Sequence, residues 1–120
     1  MYDHLGLAVR DLDASVRFYE AALAPLGVVL VACDANGAGF GPPGAPGLWL
    51  APATETRPGV HLAFAAADRA AVDRFHATGL AAGGRDHGEP GLRRDYGPSY
   101  YAAFLIDPDG NNVEAVCTTV

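Results

Sequence analysis

The chain has 120 residues, half of them hydrophobic and 18% charged, which is the length of one domain and too apolar a composition for disorder. Eight Lys and Arg against 14 Asp and Glu give a net charge of −6, and with no cationic cluster beyond Arg93-Arg94 this excludes a nucleic-acid surface. No apolar run approaches the roughly 20 residues that span a bilayer and no charged-then-apolar leader opens the chain, so a cytoplasmic protein without membrane partners is expected.

Residues 3–9 alternate as a strand does. Asp11 or Asp13 then caps a helix reaching about Leu26, with Val16, Tyr19, Leu23 and Leu26 on one face and Gly27 ending it. Short strands follow at about 27–33, 37–41 and 47–52, with the Pro/Gly-rich loop Gly41–Gly47 between the last two. Thr54–Gly59 is a linker. Residues 60–66 alternate again, and Asp68 caps a helix to about Ala82 that carries Val72, Phe75 and Leu80. Strands are expected at about 84–88, 99–106 and 111–117, the last two joined as a hairpin by the turn Asp107-Pro108-Asp109-Gly110. Cys33 and Cys117 are too few for a disulfide framework and read as reduced thiols.

The second half repeats the first. Displaced by 57 positions, His61-Leu62-Ala63-Phe64-Ala65 falls on His4-Leu5-Gly6-Leu7-Ala8, Asp68 on Asp11, Arg74-Phe75 on Arg17-Phe18, Leu80 on Leu23 and Gly84 on Gly27; ten of the 24 aligned positions are identical. Such self-similarity marks two copies of one supersecondary unit. The fold class is therefore α+β, a single domain of two tandem βαβββ modules, about 1–53 and about 59–120.

Strand side chains alternate between faces. Leu5, Leu7 and Val9 face the helix, while His4 shares its face with Gly6 and Ala8. In the copy, His61 shares a face with Ala63 and Ala65. Small residues around a polar one leave a hollow that suits a ligand. Glu114 lies in mid-strand on a face with Asn112 and Val116, where burial is costly unless the charge is paired or bound to a cation. Two histidines and a carboxylate suit a divalent metal with open positions. Trp49 stands on the face of Gly47 and Ala51. His76 falls at the repeat position of Tyr19 and reads as a packing or surface residue, and Arg93-Arg94 as a solvated pair.

The opening Asp3-His4-Leu5-Gly6-Leu7-Ala8-Val9, the segment Asp13-Ala14-Ser15-Val16-Arg17-Phe18-Tyr19 and the closing Asp107-Pro108-Asp109-Gly110-Asn111-Asn112-Val113-Glu114 resemble the vicinal oxygen chelate superfamily, the glyoxalase, bleomycin-resistance and extradiol-dioxygenase group. The resemblance implies a cupped, open mixed sheet with helices outside and a divalent metal ion (Fe, Mn, Ni or Zn) held from the first and last strands of the modules. His4, His61 and Glu114 fall on three of the four usual ligand positions, and Trp49 falls on the fourth. It implies a metal-dependent enzyme that chelates vicinal oxygens of a small substrate and stabilises an enolate or oxyanion, with Trp49, Arg93, Tyr96, Tyr100 and Tyr101 against the substrate. The alternative is a metal-free binding protein of the same fold that sequesters a small or antibiotic-like molecule. A homodimer is expected, because modules often pair between chains in this group. The chain departs from the group at three places. Trp49 stands where glyoxalase I has its proton-shuttling Glu. Phe104 stands where the dioxygenases and the fosfomycin-resistance transferases have a tyrosine. Gly6 likewise replaces the threonine of the fosfomycin enzymes.

Overall fold

The computed structural model describes residues 1–120. In chain order the elements are strand β1 (Leu5–Val9), helix α1 (Leu12–Leu23), strands β2 (Val29–Asp34), β3 (Gly37–Gly41), β4 (Leu48–Pro52) and β5 (His61–Ala65), helix α2 (Arg69–Ala81), and strands β6 (Arg85–Leu92), β7 (Tyr101–Ile106) and β8 (Asn112–Cys117). The βαβββ order thus occurs twice. Both helices begin as the sequence signals: the Asp11 carboxylate accepts from Ala14 N at 3.1 Å and the Asp68 carboxylate from Ala71 N at 2.7 Å, satisfying free amides of the first turn. α1 ends three residues short of Leu26, because Pro25 has no N–H to continue the ladder; Ala24–Leu26 form a 3-10 turn closed by Gly27 at φ 79°.

The strands make two four-stranded mixed sheets, ordered β1-β4-β3-β2 and β5-β8-β7-β6. β1 runs parallel to β4 and β5 to β8, and the remaining neighbours are antiparallel. The two sheets are not hydrogen-bonded to each other, so β1 and β5 are each an edge. β6 extends to Leu92, beyond the expected 88, with register shifts at Gly88. Its Pro90 is tolerated because β6 is also an edge, where a missing donor breaks no ladder. No helix is long and apolar enough to cross a membrane.

One core serves both modules. Leu7, Val9, Phe18, Leu23 and Phe40 from the first join Val72, Phe75, Leu105 and Val113 from the second in a single buried cluster. Leu80, expected on the inner face of α2, is 39% exposed. Gly79 is buried in its stead, since α2 comes down against the Leu105 side chain and crosses α1 at Ala22 and Phe18 with no room for a Cβ. Across that crossing Thr78 Oγ1 donates to Ala21 O at 2.7 Å. The helices therefore clamp the modules to each other.

The Asp107–Asn111 turn is a second clamp as well as a hairpin turn. Asp107 Oδ1 accepts from Asp109 N (2.9 Å) and Asn111 N (2.8 Å), while Oδ2 accepts from Tyr19 Oη (2.6 Å) and Asn111 Nδ2 (3.1 Å). Asp109 Oδ1 accepts from Arg10 N (3.0 Å) and Thr56 Oγ1 (3.0 Å), and Asn111 Oδ1 from Val60 N (3.2 Å). The turn of module 2 thus holds the β1–α1 corner of module 1, the middle of the linker and the residue that follows it.

His76, at the repeat position of Tyr19, is buried, with Nε2 2.9 Å from Asp86 Oδ1. The hydrogen bonds from His76 and then from Gly88 N hold the Asp86 carboxyl below its ordinary range. A carboxyl lowered in the folded chain stabilises it above the unfolded value and loses that contribution as pH falls through the folded one. Asp86→Asn is accordingly expected to flatten the acid limb of stability, read by thermal denaturation from neutral pH down to about pH 3; an unchanged acid limb would count against the pairing.

Candidate functional site

The strand register superposes the two modules. Gly6 pairs with Trp49 across β1 and β4, and its repeat partner Ala63 pairs with Glu114 across β5 and β8. Trp49 therefore occupies in the first sheet the place that Glu114 occupies in the second. The next strand inward compensates in volume: Gly39 lies opposite Trp49, where its missing Cβ lets the indole lie flat, and Phe104 lies opposite Glu114.

Glu114 is 3% exposed, and such a carboxylate needs partners. Oε1 is 3.0 Å from His61 Nε2, and Oε2 accepts from Tyr100 Oη at 2.5 Å. Donating to Glu114 and lying partly out of water push the Tyr100 hydroxyl up to about 12, so it remains a donor at neutral pH. His61 Nδ1 lies 3.2 Å from Asn112 O. The Asn112 carbonyl and the Glu114 carboxylate both only accept, so a neutral His61 donates to one of them and a charged ring to both. The imidazole also stacks on Phe104, with centroids 6.5 Å apart and planes 24° from parallel. On the other side of Phe104 lies Arg93, whose Cζ is 5.4 Å from the ring centroid. Tyr96 is 68% exposed and meets the Tyr100 ring edge-on at 5.2 Å.

His61, Glu114 and Tyr100 are thus in contact, with Arg93 and Tyr96 at the margin. His4 and Trp49 stand on the other sheet. His4 Nδ1 lies 2.7 Å from Asp3 Oδ1, and no three His, Cys, Asp or Glu side chains of one chain are grouped closely enough to hold a metal ion. Tyr101 is not brought to the site. It shares the helix-side face with its cross-strand partner Cys117, its hydroxyl donates to Asp73 at 2.6 Å and its ring lies under Arg69. The Asp73 hydrogen bond raises its hydroxyl above the ordinary range. Adjacent residues of a strand face opposite ways, and that parity alone allows only one of Tyr100 and Tyr101 beside Glu114. Asp3 carries no signal in residue type, whereas Asn112 shares strand parity with Glu114 and Phe104 is its cross-strand neighbour.

Over residues 4–116 the chain matches the glyoxalase-like domain family. It belongs to that family. Among solved structures, this glyoxalase-like chain is similar to a glyoxalase/bleomycin resistance protein from Albidiferax ferrireducens T118, at 30% identity and TM-score 0.85 over 99% of each chain. It shares its fold with a glyoxalase/bleomycin resistance protein/dioxygenase family enzyme from Burkholderia phytofirmans PsJN, at 18% identity and TM-score 0.74 over 98% of each chain. A glyoxalase-related enzyme from Fulvimarina pelagi has the same fold, at 23% identity and TM-score 0.74 over 98% of this chain and 87% of that one. No curated protein matches the chain. Family and fold agree with the resemblance to the vicinal oxygen chelate group.

Proposed function

We propose that this glyoxalase-like protein is a divalent-metal-dependent enzyme in which His4, His61 and Glu114 hold the ion and a small substrate presents two neighbouring oxygens to its open positions. One observation carries this reading. Both histidines place Nδ1 against an acceptor, His4 against the Asp3 carboxylate and His61 against the Asn112 carbonyl, so in the Nδ1–H tautomer both Nε2 atoms offer a lone pair. Metal-binding imidazoles are held in this way, with the far N–H anchored to a carboxylate or carbonyl. His61 Nε2 lies 3.0 Å from the Glu114 carboxylate, where a cation can take the place of the proton that the two groups otherwise share. Two imidazoles and one carboxylate suit Fe, Mn, Ni or Zn.

When bound, the ion supplies Lewis acidity at the substrate oxygens. The chain's own groups do the rest. Tyr100 fixes the orientation of Glu114, Phe104 props the His61 ring, and Trp49 and Tyr96 wall the opening. The reading includes a homodimer. β1 and β5 are unpaired edges, and Leu5, Val60 and Tyr2 are exposed beside them. Together with Leu62 and Phe64 they line an open cavity of about 490 Å³ that includes His61. A second copy pairing its β1 with this β5 brings its His4 to His61 and Glu114 and covers the edges, which are otherwise sites of unwanted association.

Elemental analysis of protein purified without chelators tests the metal. About one equivalent of divalent ion per chain is expected, absent from Glu114→Gln while the circular dichroism of the variant matches the parent. Stoichiometric metal in Glu114→Gln would remove the ligand assignment. A parent that neither contains nor takes up metal would move the protein to the alternative, a metal-free binder of a small molecule.

A further inference from the structure

Beside the His61–Glu114 pair, on the far side of Phe104, lies a second cavity of about 270 Å³ lined by His87, Gly88, Arg93, Tyr96, Phe104 and Asn112. Arg93, like every arginine of this acidic chain except Arg10, has no ion-pair partner. None of its nitrogens lies within 4.0 Å of a carboxylate, and its one hydrogen bond is from Nη2 to Glu89 O at 2.6 Å. It is nonetheless held in place. The guanidinium lies against the β6 backbone at two glycines, where a Cβ on Gly88 would stand 3.2 Å from Nη2 and one on Gly91 would stand 3.1 Å from Nη1. Phe104 faces the group from across the sheet. Two missing side chains and one ring thus make a cradle for the guanidinium, and most of its five donors have no partner in the protein. Asn112 also lines the cavity, and its buried Oδ1 has no hydrogen-bond partner. A buried orphan of this kind costs free energy that a ligand hydroxyl or amide would recover.

We propose that this cavity is an oxyanion subsite, in which Arg93 receives the carboxylate or phosphoryl group of a small ligand and Asn112 accepts from a neighbouring O–H or N–H. A planar guanidinium held flat and free of ion pairs matches the fork of a carboxylate or phosphate. One aromatic ring separates it from His61, so a ligand of a few carbons reaches both. The substrate class this defines is a small oxyanion that also carries a hydroxyl, carbonyl or amino group. That its other end is the reacting one rests on the reading given above; the anion binding itself does not.

The experiment is a titration of metal-stripped protein with glycolate and, separately, with inorganic phosphate, followed by amide chemical shifts. Saturable shifts at Gly88, Gly91 and Asn112 are expected with one of the two probes, and which one binds identifies the anion. Arg93→Gln should weaken that probe at least about tenfold, the scale of one charge-assisted pair, with metal content and melting temperature as in the parent. Gly91→Ala, which displaces Nη1 by a few tenths of an ångström, should fall between. If neither probe binds the parent, or if Arg93→Gln binds as the parent does, the subsite is overturned. Because the protein is metal-free in this titration, failure of the metal assignment leaves the result readable.

Discussion

Asp107→Ala is expected to lower stability by about 3–5 kcal/mol, the largest loss of any single polar substitution in this chain. The residue is 3% exposed and its two oxygens accept four hydrogen bonds, from Tyr19, from both nitrogens of Asn111 and from Asp109 N. Deleting the carboxylate leaves those donors buried, and each unsatisfied group costs about 1–3 kcal/mol, moderated where water enters. A domain of this size has on the order of 5–15 kcal/mol in all, so the melting temperature should fall by roughly 10–20 °C. Tyr19→Phe isolates one of the four bonds. Burial and the adjacent Asp107 charge hold the Tyr19 hydroxyl well above its ordinary range, so it donates at every working pH, and its loss should cost about 1–3 kcal/mol. The double variant should be less destabilised than the sum of the two, because the Tyr19–Asp107 bond is then counted once. A drop below about 1 kcal/mol for Asp107→Ala would mean that the turn does not clamp the modules.

These bonds also mark what the sequence could and could not reveal. Pattern reached a long way into the fold. The displaced match of His4–Gly27 with His61–Gly84, and the capping aspartates 11 and 68, are local features whose consequences are local, and the modules follow from them. It also placed Glu114 on a strand face with Asn112, and Trp49 on one with Gly47 and Ala51, because strand parity is carried by adjacent residues; the equivalence of Trp49 to Glu114 came from the family resemblance. The relation between the modules is another matter. Gly79 at the helix crossing, Tyr19 on Asp107 and Arg10 on Asp109 join residues up to 99 positions apart, and no period or spacing encodes such a contact. For the same reason Asp107-Pro108-Asp109-Gly110 was legible as a turn and not as a clamp. The site divides along the same line. His61, Glu114 and Tyr100 come from one sheet, and their meeting could be foreseen from parity. That His4 belongs to a separate sheet depends on how the helices pack, and the Arg93 cradle depends on the bulged course of β6 at Gly88.

Mixing two inactive variants is expected to restore metal binding. His4 and the His61–Glu114 pair lie on sheets that one chain does not hydrogen-bond together, with the helix crossing at Ala22 and Gly79 fixing the modules. In a dimer that pairs β1 of one copy with β5 of the other, each metal site takes His4 from one chain and His61 with Glu114 from its partner. His4→Ala alone and His61→Ala alone then lack one imidazole in every site, and each should purify with little metal. Unfolded together in equal amounts and refolded, half of the dimers contain one chain of each kind. In such a dimer one site has lost both histidines and the other is intact. The mixture should therefore hold about one quarter of the parent's metal per chain, in a species with the mass of a dimer. Sites formed within single chains would leave the mixture as empty as its components. Full metal in either variant by itself would instead strike that histidine from the ligand set. The recovered quarter, on the other hand, would tie the metal, the dimer and the free β1 and β5 edges to one physical cause. The helices join the modules in one chain, and in the proposed dimer a second chain closes the sheet.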